Sequence, residues 1–227
     1  MDKEKAIIFD AGTIINFSMN GLLDLFVRLK RQFNGKFIIT ENVEYEVIKR
    51  PLRIKKFELS ALRTKQLLDE KIIELPSALG IKSSIIDEKT KNILEIANKT
   101  FSVESHYLHI IDRGEASCMA LSEILRQKGI KEIISIDERT TRMLCEKPAN
   151  LQKLLELKLH AKVNVKKENL AYFSKFKFIR SSEMVYLAYK KGLIELKNGN
   201  VLDALLYAVK YKGCSISRNE IEEMKRL

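Results

Sequence analysis

The chain has 227 residues, of which 45% are hydrophobic and 31% charged, with three cysteines, no tryptophan and a formal net charge of +11. That length can bury a core without disulfides, and Cys118, Cys145 and Cys214, few, odd in number and without a Cys-x-x-Cys pair, support neither a zinc knuckle nor a redox motif. No run approaches the roughly 18 apolar residues that span a bilayer, and Met1-Asp2-Lys3-Glu4 is not laid out as a signal peptide, so the expectation is a soluble cytoplasmic protein without a membrane partner.

In chain order, short runs rich in Ile and Val predict strands at residues 5–9, 37–40, 72–75, 132–136 and 161–165. Helical patterns lie between them. Residues 21–33 place Leu22, Leu25, Phe26 and Leu29 on one stripe, and residues 41–50 form a short helix stopped by Pro51. Residues 57–70 and 84–100 read as a longer helical pair, and 113–127 as an amphipathic helix closed by Gly129. Beyond Lys166 the pattern turns helical: 182–191, 201–212, and 218–227 behind a Ser217-x-x-Glu220 capping box. The three cysteines are expected in helices with apolar neighbours and read as buried, inert thiols. Strands alternating with helices indicate an α/β parallel sheet of about five strands flanked by helices, over residues 1–166, with a helical extension over 167–227 packed on it.

Charge divides along the same line. Residues 1–146 carry 24 Lys and Arg against 22 Asp and Glu, whereas residues 147–227 carry 17 against 8. A basic carboxyl third beside an acidic pocket suits a polyanion gripped by one part and processed by another.

Four carboxylates define that pocket. Asp10 follows Lys5-Ala6-Ile7-Ile8-Phe9, Asp137 follows Ile133-Ile134-Ser135-Ile136, and Glu46 and Glu115 stand near expected helix starts. Handovers from strand to helix collect at the carboxyl edge of a parallel sheet, so groups distant in sequence can converge there. Helix dipoles favour negative charge in a first turn. Several carboxylates in one pocket repel unless a cation lies between them, and hard oxygen ligands suit Mg²⁺ or Mn²⁺.

Four blocks in order extend this reading. They are Ile7-Ile8-Phe9-Asp10; Thr40-x-x-Val43-x-x-Glu46; Gly114-Glu115-Ala116; and Ser135-Ile136-Asp137 with Arg142 five residues on. Together they resemble the PIN-domain nucleases, the group that includes VapC-type toxins, across roughly residues 4–165. The carboxyl helices resemble the extension of some archaeal-type members. The resemblance implies a PIN-like, Rossmann-like sheet. It also implies a ribonuclease in which Asp10, Glu46, Glu115 and Asp137 are catalytic and hold Mg²⁺ or Mn²⁺. RNA would be the substrate, and an antitoxin protein or a second copy of the chain would be the protein partner. A catalytically inactive PIN-fold subunit for RNA binding or assembly is the alternative.

Secondary candidates surround this set. Thr13 offers a hydroxyl to Asp10 or to water on the cation, since Gly12 occupies the place where many members carry Ser or Asn; Asn16 is the other residue to which that role can pass. Asp112 shares a face with Glu115 or caps its helix, and Glu138 stands as an outer ligand. Arg142 is placed to steady a phosphate or to form a surface ion pair, and Lys49, Arg50 and Arg53, with Lys55 and Lys56, form a basic entry path beside Glu46 or a solvated turn. Glu44 reads as solvated.

Three further patterns are set aside. Gly12-Thr13 aligns with a haloacid-dehalogenase start only by putting Phe9 at the nucleophile. His106 and His109 lack a second zinc-ligand pair. Tyr172, Phe173, Phe176 and Phe178 alternate with cations like a base-stacking strip, but the core is the better reading.

Overall fold

A computed structural model describes residues 4–196 and 199–227; the opening Met1-Asp2-Lys3 lies outside the described residues. The chain begins β1 (Lys5–Phe9), α1 (Ala11–Met19), α2 (Leu23–Gln32), β2 (Lys36–Ile38) and α3 (Glu41–Glu44), which runs into a π-turn at Tyr45–Lys49. It continues through α4 (Lys55–Asp69), α5 (Ser83–Asn98), β3 (Phe101–Val103), β4 (His106–Tyr107), α6 (Arg113–Gln127) and β5 (Lys131–Ser135). Then come α7 (Arg139–Glu146), α8 (Pro148–Leu159), β6 (Asn164–Val165), α9 (Lys167–Phe173) and β7 (Phe178–Ile179). The last helices are α10 (Ser181–Lys190), α11 (Val201–Tyr211) and α12 (Arg218–Arg226).

Among the described residues the main sheet has four parallel strands in the order β2-β1-β5-β7. The expected run at 72–75 is reduced to one parallel bridge, Glu74 to Ile38, on the open side of β2. The run at 161–165 leaves this sheet altogether. Its remnant β6 pairs antiparallel with β3, which also pairs with β4. The fourth strand of the parallel sheet is instead β7, from beyond Lys166, so the sheet crosses the boundary drawn between the two segments.

The central strands are apolar because both their faces are covered. Ile8, Phe9, Ile134 and the following Ile136 are fully buried. Phe9 sits 4.9 Å from the Phe26 ring and 5.1 Å from Phe37, tying α2 and β2 to β1. The stripe expected on α2 is present, with Leu25, Phe26 and Leu29 buried. Helix α6 packs on β1 and β5 with α5 alongside it. It therefore buries small residues, Gly114, Ala116, Ser117 and Ala120, where its backbone must come close to neighbours. Gly129 ends it with φ 76°, the left-handed turn that glycine adopts without strain.

Phe173 and Phe176 are buried, as the core reading requires, and Lys175 Nζ lies 3.7 Å from the Tyr172 ring centre. All three cysteines are buried, but Cys214 lies in the segment joining α11 to α12 rather than in a helix. Among the described residues no helix is long and apolar enough to cross a membrane.

Candidate active site

Asp10 and Asp137 follow the neighbouring strands β1 and β5. The Asp10 N–H donates to the Ser135 carbonyl at 3.0 Å, extending the ladder by one residue into the handover. Asp10 then caps α1, its Oδ2 accepting the Gly12 N–H at 3.0 Å. The side chain is buried, and that burial, with the charges of Glu46 and Asp137, pushes its carboxyl up to about 7. The Gly12 N–H acts in the opposite direction and is outweighed.

Glu115 does occupy the first turn of α6. Its Oε2 accepts the Asp112 N–H at 2.7 Å, the return half of a capping box. Burial first, then the charge of Asp10, raises this carboxyl to about 7. Glu46 is not in a first turn. Helix α3 starts behind the Thr40 cap, whose Oγ1 accepts the Val43 N–H at 3.3 Å, and Glu46 lies farther on, in the π-turn. The Arg50 N–H reaches back five residues to the Tyr45 carbonyl at 2.8 Å, the widened loop that defines that turn. The helix-start dipole therefore does not act on Glu46. Burial and the Glu115 charge raise its carboxyl, and it accepts no hydrogen bond from any described residue. Gly114 makes room for it: a Cβ built there would stand 2.9 Å from Glu46 Oε1.

Asp137 is the most tightly held of the four. Its Oδ1 accepts the Ser181 N–H at 2.8 Å; its Oδ2 accepts the Ser181 hydroxyl at 2.5 Å and the Asn16 amide at 3.0 Å. The same Asn16 nitrogen also donates to the Val209 carbonyl at 2.8 Å, so α1, the β5 handover, α10 and α11 meet at one carboxylate. Sequence reasoning missed Ser181. Its signal was the Ser181-Ser182 pair ahead of a helix, where backbone N–H groups are free to bind an anion.

Several secondary expectations need correction. Thr13 is buried, with its hydroxyl 3.2 Å from the Ser135 carbonyl and 3.1 Å from the Ser135 hydroxyl, so it braces β5; the contact with the carboxylates comes from Asn16. Glu138 caps α7, its Oε2 accepting the Thr141 N–H at 2.6 Å. Asp112 stands at the N-cap of α6, one of its two expected roles; it is exposed and pairs with His109 at 2.7 Å, and its charge still acts on Glu46 and Glu115. Glu44 is buried and paired with Lys49 at 2.7 Å, because the π-turn rotates the helix beyond it. Lys49 is thereby half neutralised, while Arg50 and Arg53 stay exposed beside Glu46. Arg142 takes the other role expected of it, an ion pair with Glu146 at 2.9 Å through one nitrogen, which leaves the expected phosphate contact untouched. His106 lies on β4 and His109 beyond it, so they share no helical face.

The carboxylates present match a hard divalent cation in kind. They are oxygen donors from different elements, and Asp10, buried, and Glu115, half-buried, both raised to about 7, can hold a proton near neutral pH or give it up to bind a cation. Among the described residues, no group of three or more His, Cys, Asp or Glu side chains stands gathered as a metal site. Comparison of the chain with protein-family models, with curated proteins and with solved structures finds no match in any of the three.

Proposed function

We propose that this chain is a metal-dependent endoribonuclease of the PIN-domain kind, hydrolysing RNA phosphodiester bonds with Mg²⁺ or Mn²⁺. The observation that carries this reading is that Asp10 and Asp137 leave the paired strands β1 and β5 at the carboxyl edge of a parallel sheet, with Glu46 and Glu115 near enough for charge to act among the four. Folds keep such an arrangement where it serves chemistry, since each ionised carboxylate costs stability there. Asp10, Glu46 and Glu115 would hold the cation, with Asp137 beside them. The ion would supply Lewis-acid stabilisation of charge on the phosphoryl and leaving oxygens.

The protein's own groups do the rest. Asp10 and Glu115, raised to about 7 by burial and repulsion, must be ionised to hold the cation, so its binding should strengthen as pH rises through neutrality. Asn16 and Ser181 fix the Asp137 carboxylate. Arg50 and Arg53, with the basic carboxyl third, attract the polyanion. Single-stranded or looped RNA is the favoured substrate, because A-form duplexes bury their base edges in a narrow groove. A cytoplasmic setting, an antitoxin partner and pairing of two copies belong to the same proposal.

The closed hydrogen-bonding of Asp137 favours a second reading, an inactive PIN-fold subunit that binds RNA or assembles with other proteins. One experiment separates the two. Cleavage of a mixed RNA pool is measured with Mg²⁺, with Mn²⁺ and with chelator, for the wild type and Asp10→Asn. Loss of cleavage by about two orders of magnitude in the variant and in chelator supports the nuclease. Equal cleavage by both proteins overturns the site, and RNA binding without cleavage selects the second reading.

A further inference from the structure

A cavity of about 420 Å³ opens among α7, α8, the residue ahead of α10 and the segment leading into α12. Five cations line it, Arg139, Arg142, Lys147, Lys153 and Arg180, against two carboxylates, Glu146 and Glu220. The cations are not equally free. Arg180 is spent on Glu183 and Glu220, and Arg142 shares Glu146 at 2.9 Å. Among the described residues Arg139, Lys147 and Lys153 have no ion-pair partner, so the positive charge of this cavity is unbalanced.

A second observation is independent of the charge count. Arg142 Nε is buried and has no hydrogen-bond partner among the described residues, although the head of the same guanidinium is engaged by Glu146. A buried N–H donor without an acceptor costs free energy, and the guanidinium nitrogen that neither Glu146 nor burial takes up can donate to a phosphate oxygen in the cavity. The wall beside it is apolar, from Met143, Leu154 and Leu157, with Leu157 73% exposed at the rim. Cation and apolar wall together suit a phosphate with a base attached better than a bare anion.

The cavity also adjoins the carboxylates. Its wall residue Ser215 donates its N–H to the Asp137 carbonyl at 3.1 Å, and Arg180 immediately precedes Ser181, which holds the Asp137 side chain. The cavity wall and the Asp137 carboxylate are thus held by the same stretch of backbone.

We propose that this cavity is a nucleotide subsite, taking a phosphate on Arg139, Arg142 and Lys153 with its base against Leu154 and Leu157. The phosphate chemistry stands on these residues alone; naming a polynucleotide as its source rests on the ribonuclease reading.

The test uses the full chain carrying Asp10→Asn, in chelator, so that binding is read without cleavage. Anisotropy of a labelled single-stranded oligoribonucleotide is followed at several salt concentrations, with inorganic phosphate as competitor. Arg142→Ala and Lys153→Ala should each weaken binding about tenfold and lower the salt slope by about 0.7. Arg142→Lys should fall between, since it keeps the charge and loses the guanidinium. Lys91→Ala, on exposed α5, should bind as the parent does. Thermal unfolding of each variant shows that it is folded. Folded Arg142 and Lys153 variants with parental affinity and slope would overturn the subsite and leave the nuclease reading standing. Arg142-dependent binding of inorganic phosphate, with oligonucleotide binding indifferent to Arg142, would overturn the nucleotide assignment. Arg142-dependent oligonucleotide binding in a protein whose cleavage ignores Asp10 would instead support the subsite and sink the enzyme.

Discussion

Gly114 and Glu46, 68 positions apart, are neighbours so close that a Cβ on the glycine would lie 2.9 Å from the Glu46 carboxylate. The obstructed atom is the end of a flexible side chain, so Gly114→Ala should fold. Alanine also favours a helix by about 1 kcal/mol over glycine, which offsets the crowding. The carboxylate, however, must move. The expected outcome is unfolding stability within about 1 kcal/mol of wild type, with RNA cleavage lowered about tenfold. Urea unfolding and the RNA-pool assay check both halves; unchanged cleavage would show that the position of Glu46 is immaterial.

Asp10 and Glu115 make a prediction that needs no substrate. Their folded pKa values, about 7, lie above ordinary carboxyl values of 3.8 and 4.5. Between those limits the folded chain binds more protons than the unfolded one, so these groups lower stability as pH rises from about 4 to about 7. Asp10→Asn removes one such group and keeps a good cap for α1. At pH 8 the variant should be more stable by on the order of 2–4 kcal/mol; below pH 4, where the carboxyl is protonated in both states, the two proteins should converge. Glu115→Gln should show the same sign. Denaturant unfolding at pH 4 and pH 8 decides, and a variant destabilised at pH 8 would remove the repulsion argument.

Ser181→Ala tests how Asp137 is held. The hydroxyl bond at 2.5 Å disappears while the Ser181 N–H and the Asn16 amide stay. Loss of one bond to a buried carboxylate should cost about 1–2 kcal/mol. Asp137→Asn weakens the same bond from the other side, so a double-mutant cycle should show coupling of about 1 kcal/mol or more. Additive effects would mean that the serine acts on stability by another route.

What could be read in the sequence was what local pattern specifies. Strand β1 and helix α2 are marked by their own apolar spacing, and the cap at Ser217 by its own side chain. Strand β7 was hidden because it has two residues, Phe178 and Ile179, inside an aromatic run, and becomes a strand only by pairing with β5. The run at 161–165 looked like a sheet strand but is captured by β3, a long-range choice that composition does not encode. The site divides in the same way. Asp10 and Asp137 were visible as ends of apolar runs. The π-turn that carries Glu46 has no sequence signature of its own, and the roles of Thr13, Glu138 and Ser181 depend on which neighbour reaches them first. Where a carboxylate can cap its own helix, as Glu138 does, the local bond wins.

Arg180 ties the carboxyl helices to the sheet edge, and its removal gives the last prediction. Its guanidinium binds Glu183, meets Glu220 at 2.8 Å and donates to the Ser215 carbonyl at 2.9 Å. Arg180→Met keeps much of the volume but strands two carboxylates and one carbonyl. Breaking a fully buried pair costs more, but Glu220 is partly solvated, so a loss of about 2 kcal/mol at pH 7 is expected. The bond and the Ser217 N–H hold Glu220 down at about 2, below the ordinary 4.5, despite its partial burial. A depressed carboxyl contributes stability above its unfolded pKa and loses it as pH falls through the folded value. The gap between wild type and Arg180→Met should therefore be full at pH 6–7 and shrink as pH falls from about 4.5 towards 2. Hydrogen exchange should show α12 opening more readily in the variant at neutral pH, because its anchor, rather than its apolar face, has been cut. A gap that holds constant down to pH 2, with α12 protected as before, would mean that Arg180 stabilises the protein by packing rather than by charge.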